Sequence, residues 1–126
     1  MVNAKELRYG NKLLFLGKIV TFENITQFRE DGIFWIKTKE VIESKSFHFK
    51  PIPLTEEILL KCGFVQCENE YWYTNGFLDL SLPIGTFCIN GSKNSEAVIR
   101  INPIKHLHQL QNLYFALTNE ELTVNL

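Results

Sequence analysis

Residues 50–64 read Lys-Pro-Ile-Pro-Leu-Thr-Glu-Glu-Ile-Leu-Leu-Lys-Cys-Gly-Phe, and this stretch separates a strand-rich part of the chain from a part bounded by helices. Its two prolines lack the N–H that a strand ladder needs, so strand pairing is expected to end there. Thr55 is placed to cap a helix whose first turn holds two glutamates, and Gly63 can supply the left-handed residue that ends it. The stretch therefore predicts a helix over residues 56–62.

The residues before this stretch predict short antiparallel strands. Turn signals at Gly10, Gly17 and Asp31-Gly32 separate runs rich in β-branched and aromatic residues. These runs cover residues 12–16, 18–23, 33–37 and 46–50. Because so few short strands cannot bury both faces of a flat sheet, a small curled barrel is the economical arrangement. We predict an SH3-like, β-barrel-type part over residues 1–52.

A β-hairpin is predicted over residues 71–80, which read Tyr-Trp-Tyr-Thr-Asn-Gly-Phe-Leu-Asp-Leu. Asn-Gly is preferred in two-residue type I′ turns, because both central residues need positive φ. Such a turn pairs Trp72 with Asp79. It also places four residues on one face: Tyr71, Tyr73, Leu78 and Leu80. Strands at 86–90 and 97–101, joined by a polar loop at 90–95, would extend the hairpin into an antiparallel meander of about four strands.

A second helix is predicted near the C-terminus, with Asn102 as its cap and Pro103 at its first helical position. At about 100° per residue, one apolar stripe contains Ile104, Leu107, Leu110, Leu113, Tyr114 and Leu117. Asn119 tolerates the left-handed conformation and can end the helix before a short strand at 122–126. The stripe is expected to pack on the apolar face of the hairpin.

His108 and Phe115 fall on the opposite side of this helix, where the pattern leaves three interpretations open. They could form a binding patch, a dimer contact, or a surface that docks against the N-terminal part. With the short helix, the meander and the last helix, residues 53–126 form the second part of a predicted α+β protein.

Three segments of the chain carry a family resemblance. They read Glu6-Leu-Arg-Tyr-Gly-Asn11, Lys50-Pro-Ile-Pro-Leu-Thr-Glu-Glu57 with the helix that follows, and His108-Gln-Leu-Gln-Asn-Leu-Tyr-Phe-Ala-Leu-Thr118. In these segments the chain resembles a family of small uncharacterised proteins of gut Bacteroidales and their phages and mobile elements. It departs from the family pattern at Asn119, where glycine is more usual. The resemblance implies a phage or mobile-element setting and brings no catalytic residues with it.

Composition and charge limit the location and partners of the protein. Hydrophobic residues make up 45% and charged residues 21%, which is typical of a globular chain. The net charge of −1 gives little attraction to a polyanion, so duplex DNA is not an expected partner. The first residues lack the apolar run of a signal peptide, and no apolar stretch is long enough to span a bilayer. We expect a cytoplasmic protein of a bacterial host cell with no membrane partner.

Metal and nucleophilic chemistry are not predicted. His106 and His108 lie two residues apart on the predicted helix, so their rings would diverge by about 160° and could not share a metal ion. Cys62 and Cys67 have only Cys88 as a third partner, and buried small hydrophobic residues or a structural zinc are the two alternatives. Burial would raise the pKa of Cys88 in its strand. We therefore expect no metal, no cofactor and no catalytic residues.

The aromatic residues give the clearest functional indication. The chain holds ten Phe, four Tyr and two Trp. Trp72 and Phe77 lie on a hairpin face that is otherwise polar, with Asp79 nearby and Arg100 two strands away. Such a patch is suited to stacking a base, with the arginine contacting phosphate. The alternative is that the N-terminal part covers this face.

These observations favour a non-enzymatic binding protein that acts in counter-defence. It would sequester a nucleotide-like small molecule or block a host defence protein. The expected ligand-binding residues are Trp72, Phe77, Asp79, Arg100, His108 and Phe115. One alternative is a module that binds single-stranded nucleic acid through the N-terminal aromatics. Another is an enzyme of a homo-oligomer, with Asp79 or His108 in a site at the subunit interface.

Overall fold

The structure is a computed structural model that describes residues 2–68, 71–82, 84–89 and 103–126. It confirms a mixed α+β chain with two antiparallel sheets and a C-terminal helix. The chain divides into two compact units. Unit 1 contains Met1–Pro53 and His106–Asn112, and unit 2 contains Leu54–Lys105 and Leu113–Leu126.

Unit 1 is built on five antiparallel strands. These are β1 (Lys12–Phe15), β2 (Lys18–Phe28), β3 (Phe34–Thr38), β4 (Glu43–Lys45) and β5 (Phe49–Pro51), in the order β4-β3-β2-β1-β5. Strand β2 is longer than predicted, and its register with β3 shifts at two points, which lets a strand bend. Because β4 and β5 are the two edges, pairing among the described residues does not close the sheet into the predicted SH3-like barrel.

Alternate residues of these strands form the core of unit 1. Leu13, Ile36 and Phe49 are fully buried, and four further residues complete the cluster: Val2, Val20, Phe22 and Phe34. This alternation follows from the two-residue period of a strand, which sends successive side chains to opposite faces. The face opposite the core is therefore left for other contacts.

The predicted strand at residues 46–50 is wrong in its first half. Ser46–His48 form a single 3₁₀ turn between β4 and β5. The turn is favoured because Ser46 is buried and its Oγ accepts a hydrogen bond from the Phe34 N–H at 3.4 Å. Pro51 is the last residue of β5, which lies at an edge of the sheet where its missing N–H is tolerated.

The first helix, α1 (Glu56–Lys61), confirms the prediction from residues 50–64. Thr55 is the N-cap, and its side chain accepts a hydrogen bond from the Ile58 N–H at 3.2 Å. Gly63 has a φ of 85° directly after the C-cap residue. Local capping decides both ends of this helix.

Unit 2 contains a four-stranded antiparallel sheet. Its strands are β6 (Val65–Gln66), β7 (Trp72–Thr74), β8 (Leu78–Ser81) and β9 (Phe87–Ile89), in that order. Strand β6 was not predicted. The polar loop at 90–95, the strand at 97–101 and the cap Asn102 fall outside the described residues.

The predicted register of the unit 2 hairpin is wrong by two residues. Tyr73 pairs with Leu80 and Thr74 with Asp79, which leaves a four-residue loop from 75 to 78. The Asn75 Oδ1 accepts hydrogen bonds from the backbone N–H groups of Phe77 and Leu78, at 3.0 and 2.7 Å. A shift of two preserves the faces, so Tyr73, Leu78 and Leu80 are buried as predicted, but Tyr71 is 65% exposed.

The second helix, α2 (Leu107–Thr118), begins four residues later than predicted. The backbone before it is used elsewhere: the Ile104 N–H donates to the Gly85 carbonyl at 2.9 Å, and His106 forms an antiparallel bridge with Pro53. Asn119, with a φ of 59°, ends the helix as predicted. Residues 122–126 do not form the expected strand. Within the described ranges, neither helix has the length and apolar character needed to cross a membrane.

Candidate functional site

The predicted aromatic patch of unit 2 is only partly assembled. Trp72 lies opposite Ser81 rather than opposite Asp79, although alternation keeps Trp72 and Asp79 on one face of the sheet. Phe77 lies in the hairpin loop and packs edge-on against Tyr114, with ring centroids 6.2 Å apart. Arg100 lies outside the described residues. The register shift therefore removes the direct pairing of Trp72 with Asp79 but keeps both on one face.

Asp79 lies instead beside the Cys88 thiol, and its charge also acts on the Cys67 thiol. The Cys88 thiol donates to the Asp79 Oδ2 at 3.9 Å. The Asp79 Oδ1 is buried without a hydrogen-bond partner in the described ranges. Burial, followed by the charge of Asp79, raises the pKa of both Cys88 and Cys67, which confirms the expectation for Cys88. Burial raises the pKa of Cys62 to about 11. Thiols with raised pKa values are poor nucleophiles near neutral pH.

Trp72 lines an apolar groove in unit 2. The groove has a volume of about 430 Å³, and its lining residues are Tyr71, Trp72, Ser81, Leu82, Ile84 and Thr86. Tyr71 and Ile84 are each 65% exposed. None of these residues carries a charge, so the groove can accept an apolar or ring-shaped group but provides no cation for a phosphate.

His108 is buried, with 1% of its surface exposed, so it cannot form a surface patch. Its Nε2 lies 3.1 Å from the Glu6 Oε2, and its Nδ1 is buried with no hydrogen-bond partner among the described atoms. Burial lowers the pKa of His108, and the bond to Glu6 offsets only part of that effect. The imidazole is therefore neutral at pH 7.

The expected divergence of the two histidine rings is also wrong. His106 precedes α2, and its ring stacks on that of His108 with centroids 5.9 Å apart and an angle of 16° between the ring planes. The described residues include no group of three or more His, Cys, Asp or Glu side chains that could hold a metal ion. Phe115, the other residue predicted on this side, is half-buried on α2.

Two segments that were quoted separately for the family resemblance bind each other within unit 1. The Asn112 Oδ1 accepts hydrogen bonds from the side chains of Arg8 and Asn11 at 3.2 and 2.9 Å. The Gln111 side chain accepts from the Lys12 N–H at 2.8 Å and donates to the Gly10 carbonyl at 3.1 Å. The sequence left a binding patch, a dimer contact or docking onto the N-terminal part open for this side of the helix, and docking is what His108 does. Gln111 and Asn112 likewise have a structural role.

Unit 1 presents a surface that combines rings with cations. We define the aromatic–lysine surface as Trp35, Lys45, Phe47, His48 and Lys50. Trp35 and Lys45 are directly paired across β3 and β4, and the Lys45 Nζ lies 5.9 Å from the centroids of both the Trp35 and the Phe47 rings. The His48 ring meets Phe47 edge-on at 4.4 Å, and its Nδ1 is 2.5 Å from the Ser44 Oγ.

The two lysines of this surface are available to a ligand. Lys50 is exposed and Lys45 is half-buried, and neither forms an ion pair within the described ranges. The neighbouring cation Lys37 is already paired with Glu23 at 3.7 Å. Glu43 lies two residues from Lys45 on the same strand and accepts a hydrogen bond from the Thr26 hydroxyl at 2.7 Å.

The charge of the chain is divided unequally between the units. Unit 1 holds nine Lys and Arg against six Asp and Glu, a formal net charge of +3, whereas unit 2 holds four against eight, a net charge of −4. The net charge of the whole chain, −1, does not reveal this separation. Unit 1 by itself is therefore suited to an anionic ligand.

A groove adjoins Phe47 on the same surface. Its volume is about 330 Å³, and its lining residues are Leu14, Leu16, Gly17, Phe47, His48 and Lys50. Leu16 and Gly17 form the two-residue turn between β1 and β2, with φ values of 48° and 82°. Leu16 is 77% exposed, so its strained backbone places an apolar side chain beside the groove without any gain from burial.

Sequence reasoning missed this surface because β4 was not predicted. Without β4, the direct pairing of Trp35 with Lys45 could not be inferred. One signal was present in the sequence, namely the excess of lysine before residue 53. Net charge taken over the whole chain concealed it.

Comparison of the chain with protein-family models, with curated proteins and with solved structures finds no match. The site is therefore assigned from its own geometry.

Proposed function

We propose that this chain is a non-enzymatic binding protein that sequesters a nucleotide-like ligand on the aromatic–lysine surface of unit 1. We further propose that it comes from a phage or mobile element and acts in counter-defence in the host cytoplasm. The observation that carries the proposal is the position of Lys45, 5.9 Å from two aromatic rings in a unit of net charge +3. Rings stack on bases and lysines neutralise phosphates, so the two together suit a nucleotide.

We also propose that unit 1 is an SH3-like, partly open barrel. The strand order β4-β3-β2-β1-β5, the long strand β2 with its two register shifts, and the 3₁₀ turn before β5 support this topology. In this arrangement the aromatic–lysine surface lies on the strand face away from the core cluster, where a ligand can reach it.

Calorimetry at low salt tests the ligand class, with AMP, GMP, ADP-ribose and a cyclic dinucleotide as probes. We expect binding that weakens at least about fivefold in Phe47→Ala, since stacking on one ring is worth about 1–3 kcal/mol. Phe28→Ala is the matched control, because Phe28 is a 67%-exposed phenylalanine of the same unit outside the surface. Absence of binding by all four probes, or equal binding by Phe47→Ala and the wild type, contradicts the proposal.

The proposed origin has a separate test. We expect the coding sequence to lie among phage structural genes, integrases or transposases. A position among housekeeping genes in the source genome would contradict the phage or mobile-element setting.

A second candidate function, blocking a host defence protein, is favoured by the uncharged groove at Trp72. Its partner would insert an apolar side chain between the exposed residues Tyr71 and Ile84. Ile84→Glu should then abolish capture of a host protein that the wild type retains, while Phe47→Ala should not affect it. If the wild type captures only copies of itself, and Ile84→Glu lowers its solution mass, the groove is a homo-oligomer contact instead.

A further inference from the structure

Two rings, rather than one, flank Lys45. Because its Nζ lies 5.9 Å from each centroid, the centroids of Trp35 and Phe47 are no more than about 12 Å apart. A mononucleotide has a single base and can use only one of these rings. Two successive bases with a phosphate between them match the ring–cation–ring order of the surface.

We infer that the ligand carries two bases joined by a phosphodiester, an inference that rests on the proposed nucleotide binding at this surface. One base stacks on Trp35, the other stacks on Phe47, and the Lys45 ammonium contacts the phosphate between them. The groove beyond Phe47, with Lys50 at its edge, receives the sugar or phosphate that continues from the second base.

The bases of this ligand must be unpaired. In a duplex, neighbouring base pairs cover the faces of each base, so an aromatic side chain on a protein surface cannot stack on them. A cyclic dinucleotide and a single-stranded nucleic acid share the required chemistry, which is two accessible bases and one bridging phosphate.

Affinity as a function of ligand length tests the inference. Tryptophan fluorescence in a Trp72→Phe background reports on Trp35 alone, because the chain has two tryptophans. We expect the linear dinucleotide TpT to bind at least about fivefold more tightly than dTMP, given the usual range for one stacked base. In Phe47→Ala, the affinity for TpT should fall to that for dTMP.

Three variants complete the experiment. Trp35→Leu, followed by calorimetry, should reduce TpT binding as Phe47→Ala does, and circular dichroism will show whether each variant is folded. Lys45→Met keeps the aliphatic stem of the lysine and should reduce the slope of log affinity against log salt by about 0.7, the value for one single-strand phosphate contact. Lys5→Met removes one charge outside the surface and should leave that slope unchanged.

Equal affinity for dTMP and TpT in the wild type overturns the inference but leaves the proposed nucleotide binding intact. Loss of TpT binding in Phe47→Ala with no effect of Trp35→Leu in a folded variant also overturns it, because that result indicates a single base site. Binding of neither ligand defeats both proposals.

The same assay separates the two sources of the ligand. Affinity that is highest for the cyclic dinucleotide and does not increase from TpT to dT6 indicates a small signal molecule. Affinity that rises from TpT to dT6, and is lost with duplex DNA of the same length, indicates single-stranded nucleic acid. If duplex DNA competes as well as dT6, the stacking geometry is wrong.

Discussion

The two units differ in the residues that they place at positive φ. In unit 1, Leu16 and Val41 have φ values of 48° and 63° and are 77% and 88% exposed. The described residues of unit 2 with positive φ are three glycines and Asn119, which adopt this conformation at little cost. Strain of this kind is often kept where a surface has a function. It occurs here in the unit that carries the aromatic–lysine surface.

The hairpins of the two units also differ in how well the turn sequence agrees with the loop that forms. Leu16-Gly17 is a poor sequence for a type I′ turn, yet it forms a two-residue hairpin. Asn75-Gly76 is the preferred sequence, yet Asn75 uses its side chain to hold a four-residue loop. A favourable dipeptide therefore does not decide the length of a hairpin loop when its side chain can satisfy the backbone in another way.

The units also differ in how backbone groups are satisfied. In unit 1, Gln111 reaches the backbone of Gly10 and Lys12, about a hundred residues away in the chain. In unit 2, the Ser81 hydroxyl exchanges hydrogen bonds with the Thr86 backbone only five residues away, at 3.1 Å each. Unit 1 therefore satisfies these groups through a distant helix segment, whereas unit 2 satisfies this pair within a single local turn.

The largest expected effect is that of Gly85→Ala in unit 2. A Cβ at Gly85 would collide with the Ile104 carbonyl oxygen, and the φ of +84° adds conformational strain. We expect a loss of at least about 3 kcal/mol in the free energy of unfolding, measured by urea titration. Gly76→Ala is the control: its φ is +92° but nothing lies within 4 Å, so about 1 kcal/mol should be lost. Equal losses would show that the approach of Ile104 is not tight.

Gln111→Ala tests the dependence of unit 1 on its distant segment. The change leaves the Lys12 N–H and the Gly10 carbonyl without their partner. We expect a loss of about 2 kcal/mol in the free energy of unfolding, because unsatisfied buried groups cost about 1–3 kcal/mol each and water can reach part of this site. Gln27→Ala, at an exposed position of β2, should change stability by less than about 0.5 kcal/mol. A loss no larger than that of the control would refute the assigned role of Gln111.

The pH dependence of stability tests the buried imidazole. Because burial lowers the pKa of His108 in the folded state, the unfolded chain binds a proton first as the pH falls below the usual value of 6.5. Stability is therefore present above pH 6.5 and decreases below it, by at most about 1.4 kcal/mol per pH unit. Glu6 and His106 both contact the His108 ring, so urea midpoints between pH 8 and 5 should be compared for His108→Gln and His106→Gln. His108→Gln should flatten the profile more than His106→Gln, because burial is the main cause of the lowered pKa of His108 and the charge of His106 only the smallest.

The smallest expected effect is a gain in stability. Leu16→Asn creates the preferred Asn-Gly turn and should add about 1 kcal/mol to the free energy of unfolding. It also removes an apolar side chain from the groove beside Phe47, so nucleotide affinity should fall. Val41→Asn relieves similar strain outside that groove and should stabilise the protein without changing affinity. If Leu16→Asn keeps full nucleotide affinity, the strained backbone of Leu16 does not contribute to ligand binding at the groove.

Local signals predicted those elements whose ends are decided within a few residues. Thr55 and Gly63 mark α1, and Asn119 marks the end of α2, because capping involves only neighbouring backbone groups. The predicted start of α2 was wrong because the Ile104 backbone bonds to Gly85, which is nineteen residues earlier in the sequence. The helical pattern placed His108 on the polar side of α2. It could not show that His108 is buried there, because that burial depends on contacts with a distant segment that contains Glu6.

The sequence by itself determined the α+β composition, the caps of the first helix, the inward face of the unit 2 hairpin and the lysine excess before residue 53. All of these depend on residue identity or on periods of two and 3.6 residues. Only the tertiary structure decided that Trp35 and Phe47 flank Lys45, that His108 is buried, and that Trp72 and Asp79 are not directly paired. These relations join residues through strand register and through contacts across the fold, and local propensity does not specify either of them.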